Sequence, residues 1–249
     1  MSTVLYVIGS TGKLGNSICW MAKKKGYTVV PLSRYECDLS EGKSDEWAFV
    51  HANSVVINCA WQYGDEWVNF ISPAILARMC KQYGAKYVGI LGEIDSECEE
   101  KERSNDTPTN LIEFNGKHKT YMEQCVFRNN PDALLVDCDF IGWSPLHGDK
   151  ITSLMKGGVV GCKNREWSGL YSTALAGAIL DNLSLSGVQR FGPKNTSDLA
   201  DCYIKVANRL DGGGRIFLIK PKPFTPKPPT VEVGEKCEDG LDEFMEYLM

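Results

Sequence analysis

Gly9, Gly12 and Gly15 stand three residues apart directly after the apolar run Val4-Leu-Tyr-Val-Ile. A strand that enters such a turn and leaves it as a helix presents backbone N–H groups and a helix N-terminus at one place, which is the chemistry of pyrophosphate binding. Thr11, Lys13 and Leu14 complete the turn. Its expected occupant is a dinucleotide. Ser33 and Arg34 follow the second apolar run. A carboxylate at that place binds ribose hydroxyls and repels a 2′-phosphate, whereas a guanidinium suits the phosphate. NADP(H) is therefore the preferred cofactor, with NAD(H) the second choice. Asp38 and Leu39 are expected to frame the adenine. Cys59 and Ala60, at the end of the third run, are expected on the adenosine ribose and pyrophosphate side.

The elements that must position these groups are legible as apolar runs of strand length alternating with helical periods. Strands are expected at Thr28 to Leu32, Ser54 to Ala60, Lys86 to Leu91 and Ala133 to Phe140, each rich in Val, Ile or Leu as a strand covered on both faces should be. Leu14, Ile18, Met21 and Ala22 give the first helix, Lys23 to Lys25 complement its C-terminal end, and Gly26 stops it. Further helices are expected near Phe70 to Gln82 and Glu113 to Phe127. The fold class is thus α/β, a Rossmann-type doubly wound parallel sheet with a small interleaved C-terminal substrate lobe.

Three stretches follow: residues 1–142 as an NAD(P)-binding domain, 143–219 as the substrate lobe, and 220–249 as a tail. The lobe pattern is looser, with helices near Lys150 to Lys156, Thr173 to Leu183 and Ser197 to Leu210 and a small strand at Val159 to Cys162. The proline-rich run Lys220 to Pro229 must be extended, and Leu241 to Met249 is amphipathic over one helical turn or two.

A chain of 249 residues buries a sizeable core. Its net charge of −5 offers no basic surface for counterion release, so nucleic acid is not an expected partner. The ten cysteines are scattered without a C-x-x-C pair. They read as thiols in a reducing compartment, and no metal site is expected. With no apolar run of membrane length and no room for a signal peptide before the first strand, no membrane association is expected and the expected location is cytoplasmic.

The chain resembles the extended, sugar-nucleotide-modifying short-chain dehydrogenases of the dTDP-4-dehydrorhamnose reductase type. The likeness runs over about residues 3 to 210. It rests on Gly9-Ser-Thr-Gly-Lys-Leu-Gly15, Asp38-Leu-Ser, Val55-Val-Ile-Asn-Cys-Ala60, Leu134-Leu-Val-Asp-Cys-Asp-Phe-Ile-Gly142 and Gly169-Leu-Tyr-Ser-Thr-Ala-Leu-Ala176. The resemblance implies NAD(P)H binding and reduction or epimerisation of a keto sugar linked to a nucleotide, with a homo-oligomer possible. It also implies a tyrosine and, four residues later, a lysine on one helix, the phenol serving as proton donor and the lysine holding the nicotinamide ribose.

Lys119 matches that lysine, but Asn115 stands at the tyrosine position. Leu91-Gly92-Glu93 stands where the reductases carry Ser-Thr-Asp. An amide has no proton to give at a useful pKa. Tyr63 and His147 are candidate replacement acids at the carboxyl edge of the sheet, ordered water is a third, and His118 is expected on the flank of its helix. Trp61 and Trp143 flank the same mouth, and Glu93 with Asp95 forms a carboxylate pair. Two readings follow: an NADP(H)-dependent reductase or epimerase with an atypical site, or a catalytically inactive dinucleotide-binding subunit that regulates or scaffolds a partner enzyme.

Overall fold

The computed structural model describes residues 3–42, 47–91, 110–146, 149–163, 165–210, 214–219 and 228–249, with the backbone alone for 110–116, 163, 217 and 219. The expected apolar runs form β1 (Val4–Ile8), β2 (Thr28–Leu32), β3 (Ser54–Asn58), β4 (Lys86–Ile90) and β5 (Leu134–Cys138). β3 and β4 end earlier than expected, although the Cys59 N–H still donates to the Ile8 carbonyl at 2.9 Å and the Leu91 N–H to the Val136 carbonyl at 2.8 Å. The expected fifth strand is split at Asp139 into β5 and β6 (Phe140–Ile141). Later come β7 (Val159–Lys163), β8 (Glu166–Trp167), β9 (Leu170–Tyr171), β10 (Gly187–Gly192), β11 (Ser197–Asp198), β12 (Arg215–Ile219) and β13 (Val231–Glu232).

The central sheet has the strand order β13-β10-β5-β4-β3-β1-β2. β1 pairs in parallel with both β2 and β3, and Ile8 lies level with Leu32 on one side and with Asn58 on the other. The exits of three strands therefore fall at one height along one edge. The order reverses at β1, the place where open α/β sheets receive ligands. Every residue of β3 is buried, as a central strand covered on both faces requires.

Helix α1 (Lys13–Lys24) ends as the sequence indicates. Gly26 adopts φ +79°, its N–H donates to the Lys23 carbonyl at 3.0 Å, and that of Tyr27 to Ala22 at 2.9 Å. The next helix begins before Phe70. A π turn at Trp67–Ile71 runs into α2 (Ser72–Tyr83), because the Asp65 carboxylate accepts from the Val68 N–H at 3.0 Å and starts the helical path early. α3 spans Asn110–Asn129 and is longer at both ends than its apolar period suggests.

By compactness the chain divides into two units that exchange segments. The first holds residues 1–10, 22–138 and 182–189; the second holds 11–21, 139–181 and 190–249. In the first unit, Ile8, Val56, Leu76, Tyr87, Val126 and Leu135 belong to one buried cluster. The second carries α4 (Lys150–Met155), α5 (Ser172–Asp181), α6 (Leu199–Arg209) and α7 (Leu241–Leu248). α6 starts at Leu199 because the Asp198 carboxylate takes the cap, accepting from Ala200 at 2.8 Å and Asp201 at 3.2 Å. α7 buries Leu241, Phe244, Met245, Tyr247 and Leu248, and Phe244 stacks on Tyr171 with ring centroids 4.9 Å apart. The expected extended run reaches its described part only at Pro228 and Pro229; 220–227 lie outside the described residues.

Among the described residues no helix is long and apolar enough to cross a membrane. No disulfide joins the described cysteines, most of which are buried.

Candidate functional site

The glycine turn is held by the neighbouring strand exits. Gly9 sits at φ +72°, and a Cβ there would lie 2.8 Å from the Ala60 nitrogen and 3.0 Å from the Cys59 carbonyl carbon. The Cys59 N–H donates to the Ile8 carbonyl at 2.9 Å, and the Ser10 N–H donates to the Leu32 carbonyl at 3.2 Å. Only glycine meets both the positive φ and this approach. The Asn16 N–H closes the first turn of α1 on the Gly12 carbonyl at 2.9 Å. Amides ahead of that bond have no partner within the helix, and they carry the positive end of its dipole. Lys13 is exposed there, while Leu14 and Gly15 are buried.

At the exit of β2 the structure gathers Arg34, Asp38, Ser40 and Gln62. The Arg34 guanidinium donates from Nε to Asp38 Oδ2 at 3.2 Å, from Nη1 to Gln62 Oε1 at 3.2 Å and from Nη2 to Ser40 Oγ at 3.5 Å. Its side chain stays 66% exposed, so the fork is oriented without being withdrawn from solvent. Asp38 accepts from the Ser40 N–H at 2.8 Å and from its hydroxyl at 2.7 Å. These bonds first, and Arg34 second, hold the Asp38 carboxyl below its usual range. The Ser33 hydroxyl and N–H both donate to Glu36, whose carboxyl is lowered in turn.

Leu39 differs from its expected role. It is 3% exposed and packs in the core of the first unit, and its carbonyl accepts from Ser72 Oγ at 2.6 Å. Its alternating place beside the half-buried Asp38 turns its side chain inward, so it frames no adenine through that side chain.

Asn58, 1% exposed, shapes the exit of β3: its Oδ1 accepts from the Ala60 N–H at 3.0 Å and its Nδ2 donates to the Tyr87 hydroxyl at 3.3 Å. Burial pushes the Tyr87 phenol well above its usual range. Cys59 and Ala60 are half-buried, and Trp61 and Tyr63 are exposed on the connection that follows.

On α3, Lys119 is half-buried and its neighbour His118 is buried. His118 does not stand on the helix flank. It packs edge-on against Phe70 with centroids 5.2 Å apart and against Trp61 at 6.5 Å. Asn69, in the π turn, holds it. The Asn69 amide is oriented by the Gln62 backbone, accepting from its N–H at 2.9 Å and donating to its carbonyl at 2.6 Å. Nδ2 therefore faces His118 Nδ1 at 3.0 Å as a donor, and the imidazole is neutral with its proton on Nε2. Burial lowers the His118 pKa against the opposing charges of Glu66 and Asp65. Of the candidate catalytic residues, the Asn115 side chain and His147 lie outside the described residues, as do Gly92, Glu93 and Asp95. Trp143 belongs to the second unit, where its carbonyl accepts from the Tyr247 hydroxyl at 3.2 Å.

Sequence reasoning missed Gln62, Ser40 and Asn69. Ser40 was legible as the residue two after Asp38, the spacing of an Asx turn. Gln62 and Asn69 meet their partners only through the fold, and a π turn leaves no periodic signal.

Strand order, glycine turn and charged exit of β2 together define an α/β protein of the Rossmann type. The chain belongs to the family described as the RmlD substrate binding domain, whose model matches residues 3–141. It is 28% identical over 151 residues to a dTDP-4-dehydrorhamnose reductase of Mycolicibacterium smegmatis, a match covering 55% of this chain and 45% of that relative. The match thus spans less than half the length of the curated relative. Among solved structures, the dTDP-4-dehydrorhamnose reductase from Bacillus anthracis in complex with NADP superposes with a TM-score of 0.71 at 16% identity, covering 99% of this chain and 98% of that one. The dTDP-4-dehydrorhamnose reductase ortholog from Clostridium acetobutylicum gives 0.69 at 18% identity, covering 99% of both chains. At these identities the likeness is one of fold.

Proposed function

We propose that this protein binds NADP(H) and is a reductase or epimerase of the short-chain dehydrogenase type, acting on a 4-keto sugar linked to a nucleotide through an atypical active site. The observation that carries the reading is the Arg34 fork, oriented by Asp38 and Gln62 yet open to solvent at the exit of β2. A guanidinium so placed meets a 2′-phosphate, while an acidic residue in its stead would select NAD(H). The glycine turn is compatible with the cofactor as well: Gly9, at positive φ and packed against the Ala60 backbone, lets the chain leave β1 in a tight turn that leads into the N-terminus of α1. The family, and a relative solved with NADP, support the same reading.

In this assignment Gly9, Thr11, Gly12, Lys13, Leu14 and Gly15 receive the pyrophosphate. Ser33 and Arg34 receive the 2′-phosphate, and Asp38, Cys59 and Ala60 the adenosine. Lys119 holds the nicotinamide ribose. Residues 1–142 carry the cofactor and 143–219 the substrate. When bound there, the reduced cofactor would supply the hydride that such a reduction needs. Asn115 stands at the position of the phenol and gives no proton, so Tyr63, His147 or ordered water supplies it. The described cysteines, none in a disulfide, are consistent with a reducing cytoplasmic setting.

A second reading, a catalytically inactive subunit that binds the dinucleotide and regulates or scaffolds a partner enzyme, is favoured by Asn115 itself. Titration calorimetry with NADPH and NADH, followed by NADPH oxidation with a 4-keto nucleotide sugar, separates the two. Binding with turnover supports the enzyme, binding without turnover supports the subunit, and no binding of either dinucleotide removes both.

A further inference from the structure

Within the second unit, the first turns of α1 are braced by α7. The Asn16 side chain donates from Nδ2 to the Tyr247 hydroxyl at 2.7 Å, and that hydroxyl donates to the Trp143 carbonyl at 3.2 Å. The Tyr247 ring stands edge-on to Trp20, with centroids 5.6 Å apart, and to Trp143 at 5.7 Å. Burial pushes its phenol pKa up, with hydrogen bonds from Ser17 and Asn16 opposing. Two hydroxyls act beside it. Ser144 Oγ donates to the Thr11 carbonyl at 2.7 Å, and Ser17 Oγ lies 2.7 Å from Ser172 Oγ. A phenylalanine would fill the aromatic cluster equally well. What the hydroxyl adds is a fixed link between the side of α1 and the backbone at Trp143.

We propose that Tyr247 is a positioning residue for the phosphate-binding turn: through Asn16 and Trp143 it sets the orientation of the first turn of α1, and with it the amides that meet the pyrophosphate. The inference rests on the reading of that turn as a dinucleotide site. Amide donors at a helix N-terminus act together on one anion, so a small rotation of the helix weakens several contacts at once. Holding the turn in its binding orientation before the ligand arrives removes an ordering cost from association.

The test uses the full chain as wild type, Tyr247→Phe, Asn16→Ala and the double variant, with NADPH and adenosine 2′-phosphate as probes in titration calorimetry. Adenosine 2′-phosphate carries the group assigned to Arg34 but no pyrophosphate. Each single variant is expected to raise the Kd for NADPH about three- to ten-fold, the range of one lost hydrogen bond. The double variant is expected to be no weaker than either single, and the Kd for adenosine 2′-phosphate to stay unchanged. An unchanged NADPH Kd in Tyr247→Phe overturns the proposal, and so does an equal weakening of both probes, which would mark general destabilisation. Should Tyr247→Phe fail to fold, Asn16→Ala carries the same test with the aromatic cluster intact. Failure of the wild type to bind NADPH overturns the dinucleotide reading itself and is thereby distinguished from failure of the brace.

Discussion

Gly9 and Ala60 approach so closely that a Cβ on the first would lie 2.8 Å from the backbone nitrogen of the second. The contact joins the exits of β1 and β3 at the point where the strand order reverses. Gly9→Ala combines a left-handed backbone, costing about 1–2 kcal/mol for an L-residue, with a backbone clash that no rotamer relieves. The variant is expected to lower the urea midpoint by at least that equivalent and to lose NADPH binding. Both are read from denaturation curves and calorimetry on the same preparation.

How much of this was legible in the sequence divides along physical lines. β2, with its Val-Val core between Gly26 and Ser33, and α1, with apolar spacing and a glycine stop, follow from local rules and fall where expected. β10 escaped because Gln189 and Arg190 interrupt its apolar character, and β13 because two residues carry no periodicity. Arg34 was identifiable from its place after a strand. Its orientation was not, since Gln62 stands 28 residues away and is brought to it only by the pairing of β1 with β2 and β3. The inward turn of Leu39 was hidden for the same reason: an apolar residue in a loop can face a ligand or a core, and only packing decides.

Arg34 separates stability from affinity. Its pair with Asp38 is exposed, and such pairs contribute about 0–1 kcal/mol. Arg34→Ala should therefore leave the thermal midpoint nearly unchanged while weakening NADPH by about ten- to one-hundred-fold, the range for charge-assisted hydrogen bonds. NADH affinity should hardly move, and Arg34→Glu should reverse the preference. Calorimetry at low and high salt adds a check, because the Arg34 effect is expected to shrink as ionic strength rises. Equal wild-type affinity for the two cofactors would sink the assignment.

On the proposed reading, Asn115 bears on turnover alone. A missing general acid costs about 10²- to 10⁴-fold, so wild-type reduction of a 4-keto nucleotide sugar is expected to be slow, and Asn115→Tyr to raise kcat with little change in NADPH affinity. The measurement is NADPH oxidation under saturating cofactor. Ordinary wild-type rates would place the proton donor elsewhere, with Tyr63→Phe and His147→Ala as the next variants to assay.

His118 gives the protein a pH signature. Its Nδ1 receives a hydrogen bond from Asn69 at 3.0 Å, and burial lowers its pKa. The imidazolium would carry a proton on Nδ1, setting donor against donor, so the folded state takes up that proton less readily than the unfolded chain. The unfolded histidine titrates near about 6.5. Between that value and the lower folded value the unfolded state binds more protons, and stability falls as pH falls, by up to about 1.4 kcal/mol per pH unit. Above about 6.5 this contribution is fully present and flat. Urea midpoints from about pH 7 to about pH 5 should show the decline, and His118→Gln should flatten it across the window where carboxylates have yet to titrate. A slope that is the same in both proteins would mean that His118 is protonated in place, against the bond that Asn69 directs at it.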